Sequence, residues 1–227
     1  MPNSKYKILK IRNYDWKKLF FELIVVFLGV TAGFLLNNWQ LEKQDERLEE
    51  KYLNSFLEDV NANISDLESL IESDSVWLSL ARPKLMEIKA GTITLDSATS
   101  TLRMIVNISK SGLQSGTYEN ITNSGSLNII GDYNLRKQIV DYHDAISGVG
   151  FIEDYFYQYF GDFVMPFIFS NFSVLRGQFS NPRIIKDIQF QNVIAGYYSM
   201  IQQRKKAYEG LLEKSYQLQK SLEPPIE

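Results

Sequence analysis

The 227-residue chain contains no cysteine and a single histidine, His143. The first absence excludes disulfides and thiolate metal sites, and the second leaves no partner for a histidine-based metal centre. No Gly-rich phosphate loop follows a strand pattern, and no carboxylate pair stands out as suited to acid–base chemistry. His143 lies in VDYHDA with Asp141 and Asp144 close in sequence. On a helix those carboxylates point away from it, so it is expected on an exposed helix face rather than in a catalytic set. Excess basic charge is also missing. The 24 Lys and Arg against 27 Asp and Glu give a formal net charge of -3, which argues against a nucleic-acid partner. These absences lead us to expect a protein that is not an enzyme and that uses no cofactor or metal.

What is present is one long apolar run. Leu19 to Leu36 reads LFFELIVVFLGVTAGFLL, interrupted by one charge, Glu22, and flanked by Trp16 and Trp39. At about 1.5 Å per residue the run reaches roughly 27 Å, close to the thickness of a bilayer's hydrocarbon core. One transmembrane helix is therefore expected over residues 19–39, with the two indoles at the interfaces. Residues 1–18 carry Lys5, Lys7, Lys10, Arg12, Lys17 and Lys18 against Asp15, whereas residues 40–57 carry Lys43, Arg47 and Lys51 against five acids. The positive-inside bias places segment 1–18 in the cytoplasm and segment 40–227 in the periplasm of a bacterial inner membrane. A cleaved signal peptide is the competing reading. Against it, the run is longer than a usual signal core and passes into NNWQLEKQ without a small-x-small cleavage site.

Glu22, Gly29, Gly33 and Asn37 fall on one face of that helix. Gly29 and Gly33 form GxxxG, which lets two helix backbones approach closely, so this face is expected to meet a partner helix. Glu22 has two readings: a functional intramembrane carboxylate, or a shallow one that snorkels and pairs with Lys18.

Beyond the span the apolar period is helical. Leu53, Leu57, Val60, Ile64, Leu67 and Ile71 form a heptad seam, and the helix is expected to kink or break at Arg82-Pro83. A short helix capped by Asp96 or Ser97 should follow, running through Leu102, Ile105 and Ile108, and then a brief one around Tyr118 to Thr122. A second long helix is expected from Asn134 with the seam Leu135, Ile139, Tyr142, Ile146 and Val149, continuing toward Phe169 with distortions at Gly148, Gly150 and Pro166. The last runs from after Asn181-Pro182 to about Leu222, with the seam Phe190, Ile194, Tyr197, Ile201, Tyr208, Leu211 and Leu218, and stops at Pro224-Pro225. Ten of the 22 residues from Phe151 to Phe172 are aromatic and are expected mainly in the core. The fold class expected is all-α: a transmembrane helix continuing into an up-and-down bundle of long helices.

The span FELIVVFLGVTAGFLLNNWQLEK, through Glu22, Gly29, Asn38 and Trp39, resembles the anchor of an uncharacterised bacterial family of single-pass inner-membrane proteins. A second block, TYENITNSGSLNIIGDYNLRKQIVDYH, is similar to the same family at Tyr118, Ser124, Gly125, Leu127, Ile130, Leu135, Arg136 and Tyr142. The resemblance implies the same topology and transfers no catalytic residue. Ser124-Gly125 and Asp132 or Asn134 also read as caps around a helix corner, and that corner, with Tyr118, Leu127 and Arg136, is a candidate ligand or partner site. The expected function is a scaffold or accessory subunit of an envelope complex, lodged in the lipid bilayer and oligomerising through its transmembrane helix and a juxtamembrane coiled coil, with itself or with other envelope membrane proteins. The alternative is a ligand-sensing or regulatory bundle that signals through a partner.

Overall fold

The computed structural model describes residues 16–106 and 108–223. The charges from Lys5 to Asp15 and the Pro224-Pro225 stop lie outside the described residues. The fold is all-α, and the described residues form six α-helices and one minimal hairpin: α1 (Trp16–Ala90), α2 (Leu95–Ile105), α3 (Gly116–Asn123), α4 (Tyr133–Tyr159), α5 (Met165–Asn171) and α6 (Ile188–Leu222), with β1 (Phe172–Ser173) and β2 (Gln178–Phe179) between α5 and α6. The chain divides into two units at Leu48/Glu49, and α1 contributes to both. In the first unit the 18-residue apolar window of α1 has mean hydropathy 2.5 and none of it is buried.

The second unit is a bundle whose chain direction can be read from its cross-links. Tyr159 reaches Asn192 and Val193 while Glu153 meets Tyr208, so α4 and α6 are antiparallel. Asp74 pairs with Arg204 and Glu68 with Tyr216, which makes α6 antiparallel to α1 as well. Between α1 and α4 the chain must return. Contacts from Ser97 to Glu87, Gly112 to Asp66, Gln114 to Asn63, Thr117 to Asp59 and Gly131 to Glu49 track that return step by step down α1. The topology is up-down-up-down, its second arm made of α2, an irregular strap over 108–115, and α3 rather than one helix.

Two apolar clusters fill the bundle. One gathers Ile88, Leu102, Ile105, Phe156, Phe167, Phe190, Ile194 and Tyr197; the other gathers Phe56, Val60, Leu67, Ile121, Ile139, Tyr142, Tyr208 and Leu211. The 53–71 seam is thus covered by this chain's own helices.

Several local expectations are corrected. Helix α1 runs through Pro83 without ending. The proline forfeits one backbone bond, and burial of Ala81 with packing of Leu85 and Ile88 on the first cluster holds the turns around it. Thr94, not Asp96 or Ser97, caps α2, its Oγ1 accepting from Ser97 N at 3.1 Å, and the helix stops at Ile105, short of Ile108. Gly148 and Gly150 sit inside regular α4; the distortion is a π turn over Phe160–Val164. Its wider pitch falls just before Pro166, whose ring would crowd the carbonyl four residues back in a tight helix. Of the aromatic segment, Phe156 and Phe167 are buried, but Phe151, Phe163 and Phe169 face outward.

Tyr159 at the end of α4 lies against Gly196 of α6, where an added Cβ would lie 2.1 Å from Tyr159 Oη. Gly210, on the same helix, has nothing within 4 Å of such a Cβ. Gly196→Ala is expected to destabilise the chain by about 1–3 kcal/mol through overpacking, and Gly210→Ala to stabilise it by about 0.5–1 kcal/mol. Urea unfolding followed by circular dichroism would show opposite signs for the two; equal signs would contradict the packing described.

Candidate functional site

The seams carry polar residues at core positions. On α6 the buried line runs Phe190, Ile194, Tyr197, Ile201, Arg204, Tyr208, Leu211, Ser215 and Leu218, an unbroken alternation of four and three. On α1 it runs Phe56, Val60, Asn63, Leu67, Leu70 and Asp74, and on α4 it includes Glu153. Three of these five polar side chains, Asn63, Glu153 and Arg204, bond the strap directly, and Asp74 reaches it through Arg204.

Arg204 and Asp74 form an ion pair with both side chains 4% exposed. The guanidinium donates from Nε to Asp74 Oδ2 at 3.1 Å and from Nη2 to Oδ1 at 2.5 Å, and Nη1 donates to the Ser109 carbonyl at 3.2 Å. Its Cζ lies 4.5 Å from the centroid of the Phe156 ring and 5.7 Å from that of Tyr208. Glu153 accepts from Ser111 N at 2.9 Å, from Ser111 Oγ at 2.8 Å and from the Tyr208 hydroxyl. Asn63 Oδ1 accepts from Gln114 N at 2.6 Å, and its Nδ2 donates to Gln114 O and Tyr142 Oη, both at 3.0 Å. Ser215 Oγ lies 3.2 Å from Tyr142 Oη. Asp66 and Asp59 accept from Gly112 N and Thr117 N at 2.7 and 3.2 Å.

Burial pushes the Asp74 carboxyl above its ordinary range, against the lowering pull of Arg204. For Arg204, burial pulls downward, but the hydrogen bonds and charge of Asp74 outweigh it and hold the guanidinium above its usual value. Burial also raises Tyr142, Tyr197 and Tyr208 above 10.0, and for Tyr208 the hydrogen bond to Glu153 adds to the rise. The network binds the strap through charge-assisted bonds. Its donors and acceptors are spent on the chain itself.

The chain matches no protein-family model, no curated protein and no solved structure.

The residues singled out from the sequence fall into two groups. Trp16, Glu22, Gly29, Gly33, Asn37 and Trp39 all lie exposed on α1, and a Cβ at either glycine would meet nothing within 4 Å. Among the described residues, Lys18 and Glu22 form no ion pair, so the snorkelling pair expected there is not made. In the second group, Ser124 and Gly125 end α3 with a Schellman turn: Gly125, at φ 70°, bonds Thr122 O and Ser126 N bonds Ile121 O. Asp132, not Asn134, caps α4 through Asn134 N and Leu135 N. Leu127 packs on the second cluster, and Arg136 Nη1 donates to Asn128 Oδ1 at 2.8 Å. Tyr118 stacks on His143 with ring centroids 3.8 Å apart. The histidine is therefore half-buried rather than exposed, because α3 covers that face of α4.

Asn63, Asp74, Glu153, Arg204 and Ser215 did not stand out from the sequence. The signal was present as gaps of seven in the α6 seam, at Ile201 to Tyr208 and Leu211 to Leu218. A polar residue stands midway in each gap.

Asp74→Ala is expected to cost about 3–5 kcal/mol, because Arg204 is left buried without its counter-charge, whereas Asp74→Leu combined with Arg204→Met should recover most of that loss. Urea titration of the full chain in micelles checks this; a double variant as weak as the single one would refute it. A second expectation concerns alkali. The unfolded chain releases tyrosine protons above about pH 10, while the folded chain keeps those of Tyr142, Tyr197 and Tyr208, so each such tyrosine removes up to about 1.4 kcal/mol of stability per pH unit above that point. Phenolate absorbance should therefore rise in two stages, the later coinciding with loss of helical dichroism. A single stage near pH 10 with helicity intact would contradict the burial of these rings.

Proposed function

We propose that the chain is an accessory or scaffold subunit of an envelope complex, anchored in the inner membrane by residues 19–39 with its bundle in the periplasm. The observation that carries the reading is the apolar window of α1, with mean hydropathy 2.5 and none of it buried. Side chains of that composition left uncovered over about 27 Å require either lipid or a partner. The flanking charge asymmetry supports a cytoplasmic N-terminus, and the resemblance to single-pass inner-membrane proteins agrees with it.

The same face of α1 carries the self-association part of the proposal. Gly29 and Gly33 are open to a second backbone, and Glu22 and Asn37 lie on their side of the helix. The 53–71 seam is occupied by α4, α6 and the return arm, so association is assigned to the span and the turns up to Leu48 rather than to a longer coiled coil.

Two measurements test the reading. Full-length protein should resist alkaline extraction from membranes; release into the soluble fraction would remove the anchor. Its mass in mild detergent should be a multiple of 26.3 kDa and fall to the single-chain value when Gly29 and Gly33 are both replaced by leucine. A single-chain mass for the unaltered protein would leave the complex to form with other proteins, which pull-down from solubilised membranes would identify.

A further inference from the structure

A cavity of about 340 Å³ lies between α2, α5 and the β1–β2 hairpin, lined by Leu102, Val106, Ile168, Phe172 and Val174, with Arg103 and Gly177. Leu102 and Ile168 are 2% and 3% exposed, whereas Val106 and Val174 are open to solvent. The volume is within the range of small-molecule sites, and the lining has the composition of one: hydrocarbon with a single cation.

That cation is held in place. Arg103 Nη2 donates to Gly177 O at 3.2 Å. The backbone at position 177 has φ +64°, which favours glycine in the turn, and a Cβ there would lie 2.8 Å from the same nitrogen and push the guanidinium aside. Among the described residues Arg103 joins no ion pair. A guanidinium has five N–H donors, and most of these remain available to an anion. The turn that follows the cavity wall presents Leu175, 98% exposed, with the charge of Arg176 next to it, and Phe169 on α5 is 70% exposed. Exposed apolar side chains beside basic ones match an amphiphile with a hydrocarbon body and an anionic end.

We propose that this cavity binds an acyl chain bearing an anionic head group, with the head on Arg103 and the chain along Leu102, Ile168 and Phe172. A neutral slot would not select the head group, and a cation at its mouth selects against positively charged amphiphiles. The site goes beyond the scaffold reading and does not depend on the orientation of the span. A free fatty acid and an anionic phospholipid share the required chemistry.

The test uses the full chain in phosphatidylcholine nanodiscs, irradiated with a diazirine-bearing dodecanoate or, in a second arm, with diazirine-bearing phosphatidylglycerol built into the disc, and then mapped by mass spectrometry. Labelling is expected on the peptides containing Leu102 to Val106 and Phe172 to Val174. It should be competed by plain dodecanoate and not by dodecyltrimethylammonium. Arg103→Glu should cut it on the order of tenfold or more, as loss of a charge-assisted contact and its replacement by repulsion require. Val106→Trp, which fills the cavity, should abolish it with the helical dichroism unchanged. Labelling in the first arm assigns a free acid, and labelling in the second a membrane lipid; either supports the site. Labelling confined to peptides of residues 19–36, or equal competition by the cationic amphiphile, would overturn it, and both readouts hold even if a variant fails to fold.

Discussion

The bundle depends on where the backbone N–H groups of the strap find acceptors. Residues 108–115 have no regular secondary structure, pair with no strand, and lie against three helices, so neither a helical ladder nor a sheet can satisfy them. Side chains do it instead: Glu153 takes Ser111, Asp66 takes Gly112, Asn63 takes Gln114, and Asp59 takes Thr117 just beyond. Everything else polar in the core follows from that choice. A carboxylate brought inside needs several donors, which is why Tyr208 and the Ser111 hydroxyl complete Glu153. An amide placed at a seam position needs partners on both ends, which Gln114 and Tyr142 supply to Asn63.

The Asp74–Arg204 pair extends the same logic to register. A buried ion pair adds little net stability over a well-packed apolar pair, but a buried charge without its partner is heavily penalised. If α6 slid by one heptad along α1, Tyr197 or Leu211 would stand where Arg204 now stands, and Asp74 would be buried alone. The Nη1 bond to Ser109 couples the strap to the same register. One arginine thus sets α1, α6 and the return arm against each other, where the aliphatic seams alone would tolerate a slip of seven.

How much of this is legible in the sequence differs by element. The all-α class and the long helices were legible because apolar spacing is strong in α4 and α6, and the brief helix near Tyr118 because glycines bracket it. The strap over 108–115 was not, since its order comes from side chains far away in sequence, such as Asn63 on Gln114 and Glu153 on Ser111. The exact seam of α1 was displaced for a related reason: its most buried row includes Asn63 and Asp74, and a search for apolar spacing slides to the neighbouring row with Leu53, Leu57 and Ile71. Pro83 does not break the helix, because a proline's local cost can be met by tertiary packing of the following turns. Thr94 was passed over for Asp96 and Ser97 because all three are good caps by type, and only the backbone decides among them.

The polar interior also explains why the apolar exterior is informative. Core positions given to Asn63, Asp74, Glu153, Arg204 and Ser215 are positions where leucine would have been the default for stability, so the chain does not maximise hydrocarbon burial. Yet Leu175, Phe169 and Val174 in the second unit, and the whole run from Leu19 to Leu36 in the first, lie uncovered. A chain that admits charge inward to hold one geometry gains nothing from leaving large apolar side chains in water. Their cost is offset only when something apolar meets them. For the run in α1 the length matches a bilayer; for the cavity beside Val174, the single guanidinium of Arg103 restricts the match to a hydrocarbon chain that ends in negative charge.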